Sequence, residues 1–345
     1  MSPRNPEPLV TVAMAVHNGA CHLPEALDSV LGQTFCDFEL VVVNDGSTDE
    51  TGEILGRYQQ RDPRLRVIQQ DKQGLALSLN TSVNEARGRY VARLDADDVA
   101  LPRRLERQVD FLERNREVGL LGGAVVFITS AGSAFASWQY PLDDSEIRRK
   151  LARASAFVHP TVMMRADHLR AVGGYRRSML GAEDYDLWLR LAERCRMANL
   201  AEPVLRYRIH PGQASRADLE QQTRSVLAAQ AAARMRSELG HDPLTEVELV
   251  TDEVLRTLGV GCGEFAEALV DAQIYWAKTM ARAGYDSAAL ALWRDARSSY
   301  KRPGADRVLR SHVLRARAEL AYEQGKTVRG KALAALSRLA RHACT

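Results

Sequence analysis

Four consecutive apolar residues, Leu40-Val41-Val42-Val43, run straight into Asn44-Asp45-Gly46-Ser47, and this join constrains the fold more than any other stretch of the chain. A strand with one face in water alternates apolar and polar side chains, whereas one that is apolar at every position has to be covered on both faces. Runs of the same kind predict strands over residues 10–16, 39–44, 65–69, 90–94 and 120–128. Amphipathic segments between them predict helices over 24–31, 50–60, 75–86 and 101–114, with Ser47 and Glu50 at capping-box spacing before the second. This alternation is that of an α/β domain, a mixed, largely parallel sheet sandwiched by helices. In such sheets ligands bind beyond the carboxyl ends of the strands, so chemistry is expected just after each apolar run.

Beyond about residue 216 the strand-like runs vanish and Ala, Arg, Leu and Glu dominate. Phe265, Leu269, Ala272, Trp276 and Met280 recur at three- and four-residue steps, which predicts one apolar helical stripe. Breaks at 240–243, 259–263, 284, 302–304 and 325 divide the region into about six helices. The expected organisation is an α/β domain over 1–216 and an all-α domain over 217–345. Gly284-Tyr285-Asp286, Ala289, Ala296 and Pro303 are spaced like the second helix of a tetratricopeptide repeat, with a poorer echo around Gly325.

Composition removes several classes. No apolar run approaches the roughly 18 residues that a spanning helix needs, and the opening MSPRNPEPLV lacks the apolar core of a secretory leader. Five scattered cysteines without a Cys-x-x-Cys spacing speak against a disulfide framework or a zinc site. Cytoplasmic residence is therefore expected, and Asn80-Thr81-Ser82 is read as a chance sequon. From Arg294 onward thirteen Lys or Arg stand against four acids, a local charge of +9 in a chain of net +3. Such a tail is compatible with an anionic membrane surface, a protein partner or solvated helix faces, so peripheral attachment to the inner face of the membrane stays open. No nucleic-acid partner is expected.

Two strand ends carry acids: Val43 leads into Asn44-Asp45, and Leu94 into Asp95-Ala96-Asp97-Asp98. Carboxylates at Asp95 and Asp97 would suit a ribose hydroxyl and a hard cation such as Mn²⁺ or Mg²⁺, which would bridge a diphosphate. Asp45 and Asp98 are equally compatible with turn and helix-cap positions.

The blocks Val12-Ala13-Met14-Ala15-Val16-His17-Asn18, Ser29 to Phe35 and Glu39 to Asp49 together resemble the opening of the family 2 glycosyltransferases. So do Gly74 to Asn80, running on into Ala86-Arg87-Gly88-Arg89-Tyr90-Val91-Ala92-Arg93-Leu94-Asp95-Ala96-Asp97-Asp98, and a third block with His159-Pro160-Thr161, Gly173-Gly174-Tyr175 and Glu183-Asp184-Tyr185-Asp186. The resemblance covers roughly residues 10–212 and leaves the helical part outside. It implies a GT-A (Rossmann-like) fold and inverting transfer of one sugar from a nucleotide-sugar donor, UDP-sugar by default. The acceptor hydroxyl would belong to a glycan, a lipid-linked or a protein acceptor, as in polysaccharide biosynthesis. Carried over by position, His17, Asp45, Asp95 and Asp97 would bind the nucleotide sugar. Asp97 would be the metal ligand with His210 as a second metal or phosphate contact, and Asp184 would be the general base. Glu183 and His159 would face the acceptor, or cap a helix and hold a strand start. Arg206 and Arg208 would clamp the diphosphate or face solvent, and Leu187 and Trp188 read as core.

A hydroxyl is too weak an acid to attack unaided, so the reaction requires a carboxylate that takes its proton. The positive end of a helix beginning near Asp184 would lower its pKa, while burial and Glu183 would raise it. Nucleotidyltransferases share the fold, but they open on a Gly-rich basic loop where this chain has His17-Asn18-Gly19-Ala20. A degenerate domain serving as a scaffold is the other alternative, and the joint presence of Asp45, Asp95, Asp97 and Asp184 speaks against it. No QxxRW motif of the processive synthases occurs, since Gln221-Gln222-Thr223-Arg224-Ser225 lacks the tryptophan.

Overall fold

The computed structural model describes residues 7–213 and 218–299, which fall into two compact units. The first takes the described residues up to Ile128 together with Gly132–Arg177 and Glu183–Arg208. The second takes Thr129–Ala131, Ser178–Ala182 and the described residues from Ile209 onward.

The first unit is built on parallel strands β1 (Val10–Val16), β2 (Phe38–Asp45), β3 (Leu65–Gln70) and β4 (Tyr90–Arg93), arranged β3-β2-β1-β4. Residues 12–14 of β1 pair in register with residues 40–42 of β2, so the apolar run lies in the middle of the sheet. All eight residues of β2 are buried. Helices α1 (Leu23–Leu31), α2 (Thr51–Arg61) and α3 (Leu75–Asn84) contribute the covering side chains, among them Leu23, Leu27, Ile54, Leu55 and Leu79. Each such side chain contributes about 1.5–3 kcal/mol on full burial, so the both-face pattern is the main source of order here.

Past β4 the direction changes. Strand β8 (Met163–Arg165) runs antiparallel to β4, and β6 (Val118–Thr129) antiparallel to β8. β9 (Arg196–Ile209) and β5 (Val99–Ala100) complete the path β8-β6-β9-β5, and β7 (Ala134–Trp138) pairs with β6 off it. Because β8 is antiparallel, the turn leading into it, His159–Thr161, lies at the carboxyl end of β4. The amide of Arg93 donates to Val162 O at 2.9 Å and fixes that approach. Helix α4 (Arg104–Arg114) precedes β6, and α5 (Asp144–Leu151), α6 (Ala166–Ala171) and α7 (Glu183–Ala192) belong to the second half of the unit.

Two local expectations are corrected. The predicted helix over 101–114 begins three residues later, because Val99–Ala100 form β5 and the amide of Leu101 donates to Val204 O at 2.9 Å. The capping box also fails: Glu50 is the N-cap residue but makes no side-chain cap bond. Asp49 instead accepts from the Thr51 amide at 3.1 Å, and Ser47 Oγ accepts from the Asn18 amide at 2.9 Å.

In the second unit the described elements after Ile209 are the helices α8 (Leu219–Leu239), α9 (Asp252–Thr257), α10 (Cys262–Arg282) and α11 (Asp286–Ser299). Gly240 ends α8 in the left-handed conformation, at φ 70°. The buried face of α10 is turned from the expected stripe: Ala266, Leu269, Val270, Gln273, Trp276, Ala277 and Met280 are buried, while Phe265 and Ala272 are half-buried. Between α10 and α11 the chain turns at Gly284, at φ 83°, and Ala289 and Ala296 are buried. Pro303, the echo around Gly325 and all but the first few residues of the basic tail lie outside the described residues. Among the described residues no helix is long and apolar enough to cross a membrane, and Cys21, Cys36, Cys195 and Cys262 are unpaired.

Gly88 marks where β4 is threaded beside β1. Its amide donates to Thr11 Oγ1 at 2.9 Å, and an added Cβ would lie 2.7 Å from the Val10 carbonyl carbon. The clash is with backbone, which does not relax cheaply. Gly88→Ala is therefore expected to lower stability by about 2 kcal/mol, seen as a lower urea midpoint at unchanged slope; an unaltered midpoint would contradict this packing.

Candidate functional site

The carboxyl ends of β1, β2 and β4 converge on one set of loops. His17 follows β1, and its Nδ1 donates to Asp45 O at 2.8 Å, while its Nε2 lies 3.0 Å from Lys72 Nζ and accepts from it. Asn18, at φ 52°, takes the left-handed conformation that Asn tolerates better than most residues. Its Oδ1 accepts from the Thr48 amide at 2.8 Å. Gly46, at φ 65°, has the Lys72 amide nitrogen 2.8 Å from where a Cβ would be, so glycine is required there on two counts.

Asp45 is 4% exposed. Its Oδ1 accepts from Gln70 Nε2 and the Gln73 amide, both at 2.8 Å, and its Oδ2 accepts from the Gly74 amide at 2.9 Å. Burial pushes its pKa up, but the bonds from Gln73, Gln70, Gly74 and Ser78 outweigh it and the net shift is downward. Asp45 thus stays ionised and organises the turn into α3.

The loop after β4 brings three carboxylates together: ligand oxygens of Asp95, Asp97 and Asp98 all lie within 4.8 Å of one another. Asp95 forms an ion pair with Arg93. Asp98, 1% exposed, accepts from the Arg208 amide at 2.7 Å through Oδ1, while its buried Oδ2 has no hydrogen-bond partner. Burial, then Asp97 and Asp95, push the Asp98 pKa well above the usual carboxylate range. Arg208 is itself 2% exposed and donates from Nε to Asp97 O at 2.7 Å. It shapes the acidic loop from within. Arg206 donates to Gly132 O at 2.5 Å.

Hard oxygen donors at this spacing, one of them buried and unsatisfied, fit a divalent cation such as Mg²⁺ or Mn²⁺. His210 belongs to the second unit, where its amide donates to Gln213 Oε1 at 3.0 Å. The carboxylate cluster is built without it.

On the other side of β4 stand His159, Tyr175, Glu183 and Asp184. Asn80 on α3 braces this wall, donating to Tyr175 O at 2.7 Å and accepting from the Tyr175 amide at 2.8 Å. Asp186, fully buried, is held by Arg190 at 2.7 Å and Arg176 at 3.3 Å, and Arg190 also donates to Val172 O and Gly174 O. These bonds fix the start of α7. His159 Nε2 lies 2.9 Å from Tyr175 Oη, and its ring meets Trp188 edge-on at 5.8 Å. Trp188 is fully buried, so it is core. Burial and the charge of Arg93 push the His159 pKa well down, and burial pushes the Tyr175 hydroxyl up.

Glu183 and Asp184 open α7. Burial, then the Asp184 charge, raises Glu183 to about 7, and burial raises Asp184 to about 6 despite the Tyr185 amide and Arg93. The competition left open by the sequence is thus decided by desolvation. Two residues that sequence reasoning passed over belong to the site: Asp98, through its unsatisfied oxygen, and Arg93. Arg93 is 1% exposed and acts electrostatically on Asp95, Asp98, Glu183 and Asp184. A lone arginine inside the apolar run Tyr90-Val91-Ala92-Arg93-Leu94 was the available clue.

With this geometry in view, the sequence model of Glycosyl transferase family 2 matches residues 11–173. The O-antigen biosynthesis glycosyltransferase WbnJ of Escherichia coli is 34% identical over 206 residues, 59% of this chain and 80% of the relative. The putative glycosyltransferase EpsE of Bacillus subtilis is 37% identical over 209 residues, 59% of this chain and 74% of the relative. Among solved structures, Staphylococcus aureus TarS 1-349 in complex with UDP-GlcNAc superposes with a TM-score of 0.56 at 17% identity, covering 96% of this chain and 91% of that one. The mannosyltransferase PcManGT from Pyrobaculum calidifontis, in complex with GDP-Man and Mn²⁺, does so with a TM-score of 0.50 at 22% identity, covering 96% and 87%. The fold is GT-A.

The raised carboxyls at the start of α7 have a consequence for stability. Between the ordinary glutamate value of 4.5 and about 7, the folded protein retains a proton on Glu183 that the unfolded chain has released. Stability from this group is therefore fully present below that window and lost as pH rises through it. Glu183→Gln is expected to stabilise the protein by about 1 kcal/mol or more at pH 8 and by little at pH 4.5, read from urea unfolding at the two pH values. Equal effects at both would contradict the assignment.

Proposed function

The chain belongs to glycosyl transferase family 2, and we propose that it is a divalent-metal-dependent, inverting glycosyltransferase that moves a single sugar from a nucleoside-diphosphate donor to an acceptor hydroxyl. The observation that carries the metal and base assignments is the convergence of two acidic groups on one strand end: Asp95, Asp97 and Asp98 on the donor side, and Glu183 and Asp184 at the start of α7. The sugar's reacting carbon would be held between them.

In the proposed step, the acceptor oxygen forms a bond to the anomeric carbon from the face opposite the diphosphate. Its proton passes to the Asp184 carboxylate, and the bond from the anomeric carbon to the phosphate oxygen breaks with its electron pair on the leaving diphosphate. A base with a pKa of about 6 is mostly ionised at pH 7 yet basic enough to accept a proton in the transition state. A cation held by Asp97, with Asp95 and Asp98 beside it, would supply charge stabilisation to the leaving diphosphate. His17 and the Asp45 turn would form the wall beside the base, and Asp95 would contact the ribose or phosphates. Glu183 and the His159–Tyr175 pair would line the acceptor side.

UDP-sugar is the default donor: TarS is crystallised with UDP and UDP-GlcNAc, whereas PcManGT carries GDP-Man, so the base is decided by experiment. A glycan, lipid-linked or protein acceptor in surface-polysaccharide synthesis is in keeping with the O-antigen relative. Cytoplasmic residence, where nucleotide sugars are made, is part of the same reading. The basic stretch from Arg294 would serve attachment to an anionic membrane face or a protein partner.

Thermal stability against a panel of nucleoside diphosphates and nucleotide sugars, with Mn²⁺ and with EDTA, tests the donor half. One nucleotide is expected to raise the midpoint only with metal, and Asp97→Ala to abolish the rise. A rise that survives EDTA would remove the metal assignment. For the acceptor half, Asp184→Asn is expected to lower kcat by about 10³-fold or more with donor affinity retained; retention of turnover would remove Asp184 as the base.

A further inference from the structure

We infer that Glu25 and Arg208 are positioning residues for the acidic loop: as a pair they hold Asp97 and Asp98 in the arrangement that admits a divalent cation, and so set the affinity for it. The inference rests on the reading of Asp95, Asp97 and Asp98 as a metal site. It goes beyond that reading by giving the site a support on α1.

Strand register puts Arg208 where it can do this. β5 and β9 are antiparallel, with Ala100 opposite Leu205 and Val99 opposite Arg206. Carried back along β5 by two residues, the same pairing sets Arg208 against Asp97. Arg208 then holds two successive acids in two ways. Its amide donates to Asp98 Oδ1 at 2.7 Å, and its Nε donates to Asp97 O at 2.7 Å. The first bond fixes the Asp98 carboxylate, and the second fixes the peptide that joins the two acids.

The same guanidinium reaches α1. Its Nη2 donates to Glu25 Oε2 at 2.5 Å, a contact between residues 183 apart in sequence. Glu25 lies in the first turn of α1, where an acid suits the positive end of the helix. That preference alone does not call for a partner from β9. The Arg208 side chain is 1% exposed and that of Glu25 48%, so the exposed acid supplies the charge that a buried guanidinium requires. Because the guanidinium is planar and rigid, anchoring Nη2 on Glu25 also directs Nε at Asp97 O. The pair therefore ties the start of α1, just past the loop bearing His17, to the loop after β4.

What this does for a cation follows from the geometry of the acids. Ligand oxygens of Asp95, Asp97 and Asp98 already lie within 4.8 Å of one another. Held through Oδ1, Asp98 keeps its Oδ2 buried without a hydrogen-bond partner, an acceptor that a cation would satisfy. Groups that orient metal ligands account for much of a site's affinity although they never touch the ion. Charge by itself argues the other way. A guanidinium beside the acidic loop repels a divalent cation, so its removal would tighten binding if charge were its only contribution. The two accounts thus differ in the sign of the effect.

The test titrates Mn²⁺ into the full chain, with and without UDP, and follows the electron paramagnetic resonance of free Mn²⁺. Wild type is compared with E25Q, R208Q, R208K, the double variant E25Q/R208Q and D97A, with urea unfolding of each alongside. E25Q and R208Q are each expected to weaken Mn²⁺ binding by about tenfold or more. R208K should be weakened to a similar degree, because it keeps the charge but loses the fork that spans Asp97 O and Glu25. The double variant should bind within about twofold of R208Q, since the two residues act as one unit. R208K replaces R208Q in both comparisons where R208Q does not fold, and E25Q alone decides where neither does. Wild-type or tighter Mn²⁺ binding in E25Q or R208Q overturns the inference, and so do additive losses in the double variant, which is what two independent charges would give. A lower urea midpoint at wild-type Mn²⁺ affinity, the mark of a purely structural ion pair, overturns it as well. Undiminished Mn²⁺ binding in D97A would instead remove the metal assignment, a failure distinguishable from that of the Glu25–Arg208 pair.

Discussion

Burial of the central strands on both faces is the constraint from which the rest of the first unit follows. With every residue of β2 buried and β1 nearly so, polar side chains have nowhere to meet water except where the strands end. Asn44 and Asp45 close β2, and Asp95, Asp97 and Asp98 follow β4, so the acids collect on one side of the sheet because the sheet's interior excludes them. The four parallel strands alone would make half a site. The reversal at β8 adds the other half, since an antiparallel neighbour brings its lead-in turn, with His159, to the same end of β4.

Within that collection the carboxylates divide into two kinds by how well they are satisfied. Asp45 and Asp186 accept bonds on both oxygens from fixed donors, and each organises a stretch of backbone: Asp45 the turn into α3, Asp186 the entry to α7. Asp98 is divided, with one oxygen on the Arg208 amide and the other unsatisfied in the interior. Asp95, Glu183 and Asp184 are under-compensated, and burial raises all three. Saturated carboxylates serve the fold. Under-compensated ones carry a standing electrostatic strain that a cation, a proton or a ligand relieves, which is why perturbed acids concentrate where chemistry is done.

Much of this was legible in the chain. The five strands expected from apolar runs all occur, as do the four helices between them, because burial on both faces leaves a continuous apolar signature that single-face strands lack. The clustering of Asp95 and Asp97 follows from their spacing on one loop. What was not legible depended on partners distant in sequence. The two-residue β5 exists only because β9 pairs with it, and nothing local in Val99-Ala100 announces that. Ser47 does not cap the helix because its Oγ is taken by the amide of Asn18, some thirty residues earlier, and nothing local announces that. Arg208 read as a candidate phosphate clamp because strand alternation cannot say that its guanidinium is buried against the backbone of Asp97. Asp98 is not singled out by sequence because the missing partner of its Oδ2 is a property of the surrounding space.

The acidic half of the site is tolerable to the fold only because its supports are independent of it. Glu183 and Asp184 sit on a helix start whose own backbone is held by Asp186, Arg190 and Arg176, so repulsion between the two acids meets a rigid frame. Tyr175 is anchored through its backbone to Asn80 on α3, and a Cβ on Gly174 would come within 2.5 Å of the same Asn80 oxygen. That brace ties the wall of His159 and Tyr175 to α3 without using any of the clustered carboxylates. His159 and Tyr175 meet as two neutral groups, because burial lowers the imidazole pKa and raises that of the phenol. They add shape to the wall without adding charge. The strain is thus confined to the under-compensated carboxylates, while neutral contacts and saturated ion pairs hold the geometry around them.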